Sequence, residues 1–115
     1  MAEKVMDLNP FVRDPNTPHD PIRIKSQDAD TITFKCDDPF AITEIHLDSH
    51  GSAQSQSGKV RKNPFHRETL PFHSNAGSDH KHRTNSGPAK PNMQGHYKIT
   101  FTVNGREIDP DFIVD

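Results

Sequence analysis

Eight histidines are the side chains of this sequence best suited to chemistry near neutral pH. His80 and His82 are separated by one residue, so an extended segment would place both imidazoles on the same side. This spacing can chelate a divalent ion such as Zn²⁺, Cu²⁺ or Ni²⁺, with His73 or His96 as a third ligand. The alternative is a solvated polar loop whose histidines bind no metal, because ligand spacing of this kind is weakly specific.

Basic residues concentrated in the middle of the chain form a second candidate site. Residues 59–90 carry seven basic and two acidic residues, whereas residues 1–58 carry five basic and ten acidic ones. We expect a positive surface that attracts phosphate or carboxylate groups. Its binding residues would be Lys59, Arg61, Lys62 and Arg67, extended by Lys81, Arg83 and Lys90.

The charge distribution also indicates the kind of partner. The net charge of −2 argues against nucleic acid, whose non-specific binding depends on uncompensated positive charge. An acidic first half and a basic middle favour contacts with another protein or between copies of the chain, either head-to-tail or isologous. Exposed edge strands would add main-chain pairing as a second route. The alternative is that these charges balance within one monomer.

No residue pattern in the sequence predicts an enzyme. Cys36 lies on the apolar side of an alternating segment, so we expect a buried thiol and not a nucleophile. Asp38, Asp109 and Asp111 flank prolines, which is typical of turns. The six glycines are scattered and form no phosphate-binding loop. We therefore expect a non-enzymatic binding or assembly module with no cofactor, and the metal-binding protein described above is the alternative.

The best-defined element that would position these residues is a β-hairpin at the end of the sequence. Apolar and polar side chains alternate over residues 97–103, and Asn104-Gly105 supplies the two positive-φ positions of a type I′ turn. The return strand covers residues 106–114. We expect it to break around Pro110, because proline cannot donate a ladder hydrogen bond.

Period-two alternation predicts further strands. They cover residues 4–8, 21–25, 31–36, 40–47 and 63–72. In the fourth of these the apolar residues change parity between Ile42 and Ile45. We therefore expect a β-bulge near Thr43-Glu44 that keeps the apolar side chains on one face.

The remaining sequence lacks helix patterns. No window of a dozen residues spaces its apolar side chains by three and four, and prolines interrupt most candidates. Residues 48–63 and 73–95 are almost free of apolar side chains, so we expect two long polar loops that carry the function. Residues 1–115 then form a single all-β domain, an antiparallel β-sandwich of about seven strands. An up-and-down barrel is the alternative.

The closing sequence YKITFTVNGREIDPDFIVD, residues 97–115, resembles the final hairpin of small bacterial β-sandwich proteins with a cupredoxin-like fold. The resemblance implies an immunoglobulin-like or cupredoxin-like arrangement of the two sheets. Members that carry copper place a Cys, a His and a Met close together before the last strand. Here Cys36 lies in an early strand and no cysteine accompanies the histidines near Met93, so a blue-copper site is not expected.

Cysteine content and hydropathy bear on the cellular compartment. A single cysteine excludes an internal disulfide, and no apolar run near the N-terminus is long enough for a signal peptide or a membrane span. We therefore expect a protein of the reducing cytoplasm.

Overall fold

The computed structural model describes residues 2–14, 21–48 and 59–115. Over these residues the chain forms eleven strands and one short helix, so the all-β class is confirmed. The elements are β1 (Glu3–Asp7), α1 (Asn9–Arg13), β2 (Ile22–Ile24), β3 (Thr31–Cys36), β4 (Phe40–Asp48), β5 (Lys59–Arg61), β6 (Phe72–His73), β7 (Asn75–Ala76), β8 (His82–Asn85), β9 (Gly95–Val103), β10 (Arg106–Ile108) and β11 (Asp111–Val114).

The strands form two mixed sheets. Sheet A has the order β1-β3-β8-β7, and sheet B has the order β2-β11-β9-β4-β5, with β10 also paired to β9 and β6 to β4. The pairs β1–β3 and β2–β11 are parallel. The expectation of purely antiparallel sheets is therefore wrong at these two pairs, because side-chain alternation specifies which face of a strand is buried and not its direction.

Alternating side chains from both sheets build one hydrophobic cluster. Along β3 the buried residues are Ile32, Phe34 and Cys36, and along β9 every second residue from Tyr97 is buried. Burial raises the pKa of the Cys36 thiol, as its position on the apolar side of β3 predicts. The thiol faces the core and contacts Oδ1 of Asn9 at 3.5 Å.

The predicted bulge in β4 is confirmed. The pairing of β4 with β9 shifts register between Ile42 and Glu44. Because one extra residue is inserted there, Ile42 and Ile45 both point into the core although their parities differ.

The predicted closing hairpin is confirmed as well. Asn104 and Gly105 have φ values of 51° and 76°, which connect β9 to β10 through a tight turn. The return strand breaks before Asp111, and β11 then pairs with the earlier part of β9. The Pro110 carbonyl accepts a hydrogen bond from Ile99 N–H at 3.0 Å. The strand β9 is therefore also bonded to the short segment between β10 and β11.

The helix α1 was not predicted. Its five residues give no 3.6-residue pattern to detect, and Pro10 occupies its first turn, where the missing N–H has no intrahelical acceptor to lose. No helix in the described ranges is long and apolar enough to cross a membrane.

The expected long loop over residues 73–95 is wrong, because this segment contains β7 and β8. The strand β7 pairs with β8, and β8 pairs with β3. The side chains buried in and just after β8, Thr84 and Ser86, are polar and satisfied by hydrogen bonds, so no apolar pattern marks this strand. Ser86 is fully buried; its Oγ accepts from Ile32 N–H at 2.9 Å and donates to the Gly87 carbonyl at 2.7 Å.

The other two irregular segments also differ from expectation. The strand predicted over residues 63–72 is absent from this described segment except at its last residue, and Phe65 makes only an isolated bridge with Ala89. In the expected loop over residues 48–63, residues 59–61 form β5, while residues 49–58 lie outside the described part of the chain.

Candidate functional site

The structure places the histidines of the predicted metal site on different elements. His82 lies on β8 of sheet A, opposite Cys36, whereas His73 lies on β6 of sheet B, opposite Ala41. His80 occupies the turn before β8 with a φ of 64°, so the expected extended conformation through it is wrong. Within the described ranges, no group of three or more His, Cys, Asp or Glu side chains is placed to hold a metal ion.

Two other histidines contact carboxylates on the outer face of sheet B. His96 Nε2 lies 2.6 Å from Asp111 Oδ2, and His46 Nε2 lies 3.2 Å from Glu44 Oε2. His96, the alternative third ligand, therefore has a carboxylate beside its ring. His46 points away from the core, as its place between two apolar residues predicts.

Three of the basic residues expected to extend the positive surface are paired with carboxylates. The pairs are Lys81 Nζ with Asp37 Oδ1 at 2.6 Å, Arg83 Nη2 with Asp79 Oδ2 at 2.8 Å, and Lys90 Nζ with Glu68 Oε1 at 3.4 Å. Hydrogen bonds from Arg83 lower the pKa of Asp79 to about 2. Nearby carboxylates therefore balance the positive charges of Lys81, Arg83 and Lys90.

Arg67, predicted to bind a partner, makes structural contacts. Its guanidinium carbon lies 4.2 Å from the centre of the Phe72 ring. Its Nη1 donates to Thr84 Oγ1 and to the Asn85 carbonyl, each at 2.8 Å. These contacts tie the segment before β6 to β8 and stabilise both.

Lys59 and Arg61 lie on β5, the last strand in the order of sheet B. Arg61 is opposite His46 of β4, and Lys62 N–H donates to the Ile45 carbonyl at 3.1 Å. Successive residues of a strand direct their N–H and C=O groups to opposite edges. Lys62 bonds to β4, so Lys59 and Arg61 present their main-chain groups to the edge that no described strand covers.

A second strand edge is formed by β1, at the end of sheet A. Thr31 N–H donates to the Ala2 carbonyl at 2.9 Å, and Leu8 N–H donates to the Lys35 carbonyl at 2.8 Å. The even-numbered residues of β1 therefore bond to β3. It follows that Glu3, Val5 and Asp7 direct their N–H and C=O groups to the edge away from β3.

Val5 is exposed over 56% of its surface and is the one large hydrophobic residue in the described ranges that is exposed. Glu3 and Asp7 flank it on the same face of β1, while Met6 points into the core. An open cavity of about 260 Å³ adjoins this edge. It is lined by Val5, Met6, Asp7, Pro10, Phe11, Ile22 and Asp111.

Asp30 fixes the start of β1. Its buried carboxylate accepts hydrogen bonds from Ala2 N at 2.8 Å and from Lys25 N at 2.9 Å. Burial by itself raises the pKa of Asp30, but these two hydrogen bonds help to outweigh burial, so the pKa lies below its ordinary value. The carboxylate thereby holds β1 near the end of β2, although no ladder joins these two strands in the described structure.

The candidate site is therefore a pair of strand edges of opposite charge, one with Glu3, Val5 and Asp7 and one with Lys59 and Arg61. The sequence identifies the basic residues by type but not their place on an edge. For β1 a signal was present, because Val5 is an apolar residue on the side opposite Met6 and Leu8. No family model, curated protein or solved structure matches the chain, so this assignment depends on its own geometry.

Proposed function

We propose that this protein is a non-enzymatic binding or assembly module that acts through protein–protein contacts at the edge of β1. The framework is a β-sandwich of the immunoglobulin-like or cupredoxin-like kind, which the shared core of the two sheets supports. The observation that carries the proposal is the edge of β1 that no described strand covers, with exposed Val5 at its centre. An unpaired strand edge is a template for a strand from another chain.

The composition of this edge favours a selective contact. The three outward-directed residues supply main-chain donors and acceptors for an added strand, and Val5 adds apolar contact area. Glu3 and Asp7 repel acidic strands and discourage indiscriminate pairing. Since opposite charges stabilise cross-strand neighbours, the edge favours an extended segment with basic residues.

Short synthetic peptides test strand addition directly. We expect a peptide in which valine alternates with lysine to shift the amide resonances of β1, and a peptide in which valine alternates with glutamate to bind at least about tenfold more weakly. Absence of any shift in β1 with either peptide would refute the proposal.

Substitution of Val5 separates main-chain pairing from side-chain contact. Val5→Pro removes the outward N–H without removing a hydrogen bond to β3, and proline is tolerated on an edge strand. Val5→Thr is the matched control, because it keeps the N–H and the β-branched shape. We expect the lysine peptide to lose binding to Val5→Pro and to keep it with Val5→Thr.

A further inference from the structure

The edge of β5 carries the basic residues Lys59 and Arg61, whereas the edge of β1 carries the acidic residues Glu3 and Asp7. We propose that the strand added to β1 is β5 of a second copy of this chain, so that copies associate head-to-tail. This inference rests on the proposed function and names its partner. It is carried by two observations together, the main-chain directions of the two edges and their opposite charges.

Antiparallel pairing brings acidic residues opposite basic ones. Hydrogen-bonded pairs form between residues whose main-chain groups face each other, namely Glu3, Val5 and Asp7 on β1 and Lys59 and Arg61 on β5. In one register Asp7 lies opposite Lys59 of the second copy and Val5 opposite Arg61. In the other register Glu3 lies opposite Arg61 and Val5 opposite Lys59. In both registers, the basic residue opposite Val5 has Glu3 of β1 at one diagonal position and Asp7 at the other.

Pairing of like edges is unfavourable by the same geometry. Two β1 strands paired antiparallel about Val5 would place Glu3 of each copy opposite Asp7 of the other. Two β5 strands paired about their centre would place Lys59 opposite Arg61. Like charges directly opposite each other destabilise a strand pair, so the mixed pair is preferred.

This contact is heterologous, because the two copies use different surfaces. It would join sheet A of one copy to sheet B of the next. In a pair of copies, one copy would keep its β5 edge and the other its β1 edge for another contact. Such contacts produce a ring if the rotation between copies closes and an open chain if it does not.

Charge reversal of one edge at a time tests the inference by sedimentation velocity. The variant Lys59→Glu/Arg61→Glu makes both edges acidic, and the variant Glu3→Lys/Asp7→Lys makes both edges basic. We expect each variant alone to associate at least about tenfold more weakly than the unmodified protein. We expect an equimolar mixture of the two to assemble again, because each basic edge then meets an acidic one. Recovery in the mixture also shows that both variants are folded.

The outcomes distinguish this inference from the proposed function. Undiminished association of either variant alone would overturn the pairing of β1 with β5. Failure of the mixture, or a protein that is monomeric at every concentration and ionic strength, would also overturn it. If the lysine peptide still binds β1 in those cases, strand addition remains supported and the second copy is excluded as the partner. If the peptide does not bind, the proposed function fails as well.

Discussion

Asp30→Asn will remove a charge and one of the two hydrogen bonds that hold the start of β1. The carboxylate accepts from Ala2 N and Lys25 N through different oxygens, Oδ1 and Oδ2. An asparagine side chain has a single oxygen acceptor, so one backbone N–H loses its partner in a site that is only 3% exposed. The change therefore acts on the segment that positions the candidate binding edge.

The expected cost is about 2 kcal/mol, the typical contribution of a hydrogen bond to a charged group. For a domain of this size that corresponds to a fall in Tm of about 8 °C. Thermal unfolding followed by circular dichroism measures it. Asp28→Asn is the matched control, since Asp28 lies in the same turn with an exposed side chain, and we expect it to change Tm by no more than about 2 °C.

The difference in stability between the unmodified protein and Asp30→Asn should depend on pH in one direction. The folded pKa of Asp30 lies below its ordinary value of 3.8, so the carboxylate contributes its full stability above that value and loses it as the pH falls through the folded pKa. We expect the gap between the unmodified protein and Asp30→Asn to be constant near neutral pH and to disappear in strong acid, where protonated Asp30 also has one unprotonated oxygen. A gap that persists in strong acid, or equal effects of Asp30→Asn and Asp28→Asn, would refute this reasoning.

Three further outcomes are expected. Ser86→Ala should lower the free energy of unfolding by about 2 kcal/mol in urea denaturation, because Ile32 N–H loses its buried acceptor, whereas exposed Ser78→Ala should change it by less than about 0.5 kcal/mol. Gly105→Ala should cost about 1 kcal/mol by the same assay, since its φ is 76°. Calorimetry should show Zn²⁺ binding through His82 no tighter than about millimolar, because no group of three ligand side chains forms within the described ranges, and a tighter site that is lost in His82→Ala would contradict this reasoning.

The parts of the fold that could be predicted are those specified by local chemistry. The turn at Asn104-Gly105 requires two positive φ values, and the parity change between Ile42 and Ile45 requires an inserted residue. The strand β8 could not be predicted, because the polar Thr84 and Ser86 are buried in and just after it. Parallel pairing of β1 with β3 depends on contacts distant in sequence, which alternation does not encode.

For the candidate site, the sequence supplied residue types but not their surroundings. The basic character of Lys59 and Arg61 was visible, yet only the ladder with β4 places them on a strand edge. Arg67 has the same positive charge as these residues, but its guanidinium packs against the Phe72 ring. No local sequence pattern indicates this contact. The pairing of Lys81 with Asp37 likewise depends on two segments that meet only in the fold.

Amide hydrogen exchange of β1 tests the proposed binding edge most directly. In the isolated monomer we expect fast exchange at Glu3, Val5 and Asp7, whose N–H groups face away from β3, and slow exchange at Lys4 and Met6, whose N–H groups face β3. Addition of the lysine peptide, or assembly, should slow exchange at the first three residues and leave the other two unchanged. Exchange at Val5 that is already slow in the monomer, or that does not respond to a bound strand, would contradict the assignment of β1 as a protein-binding edge.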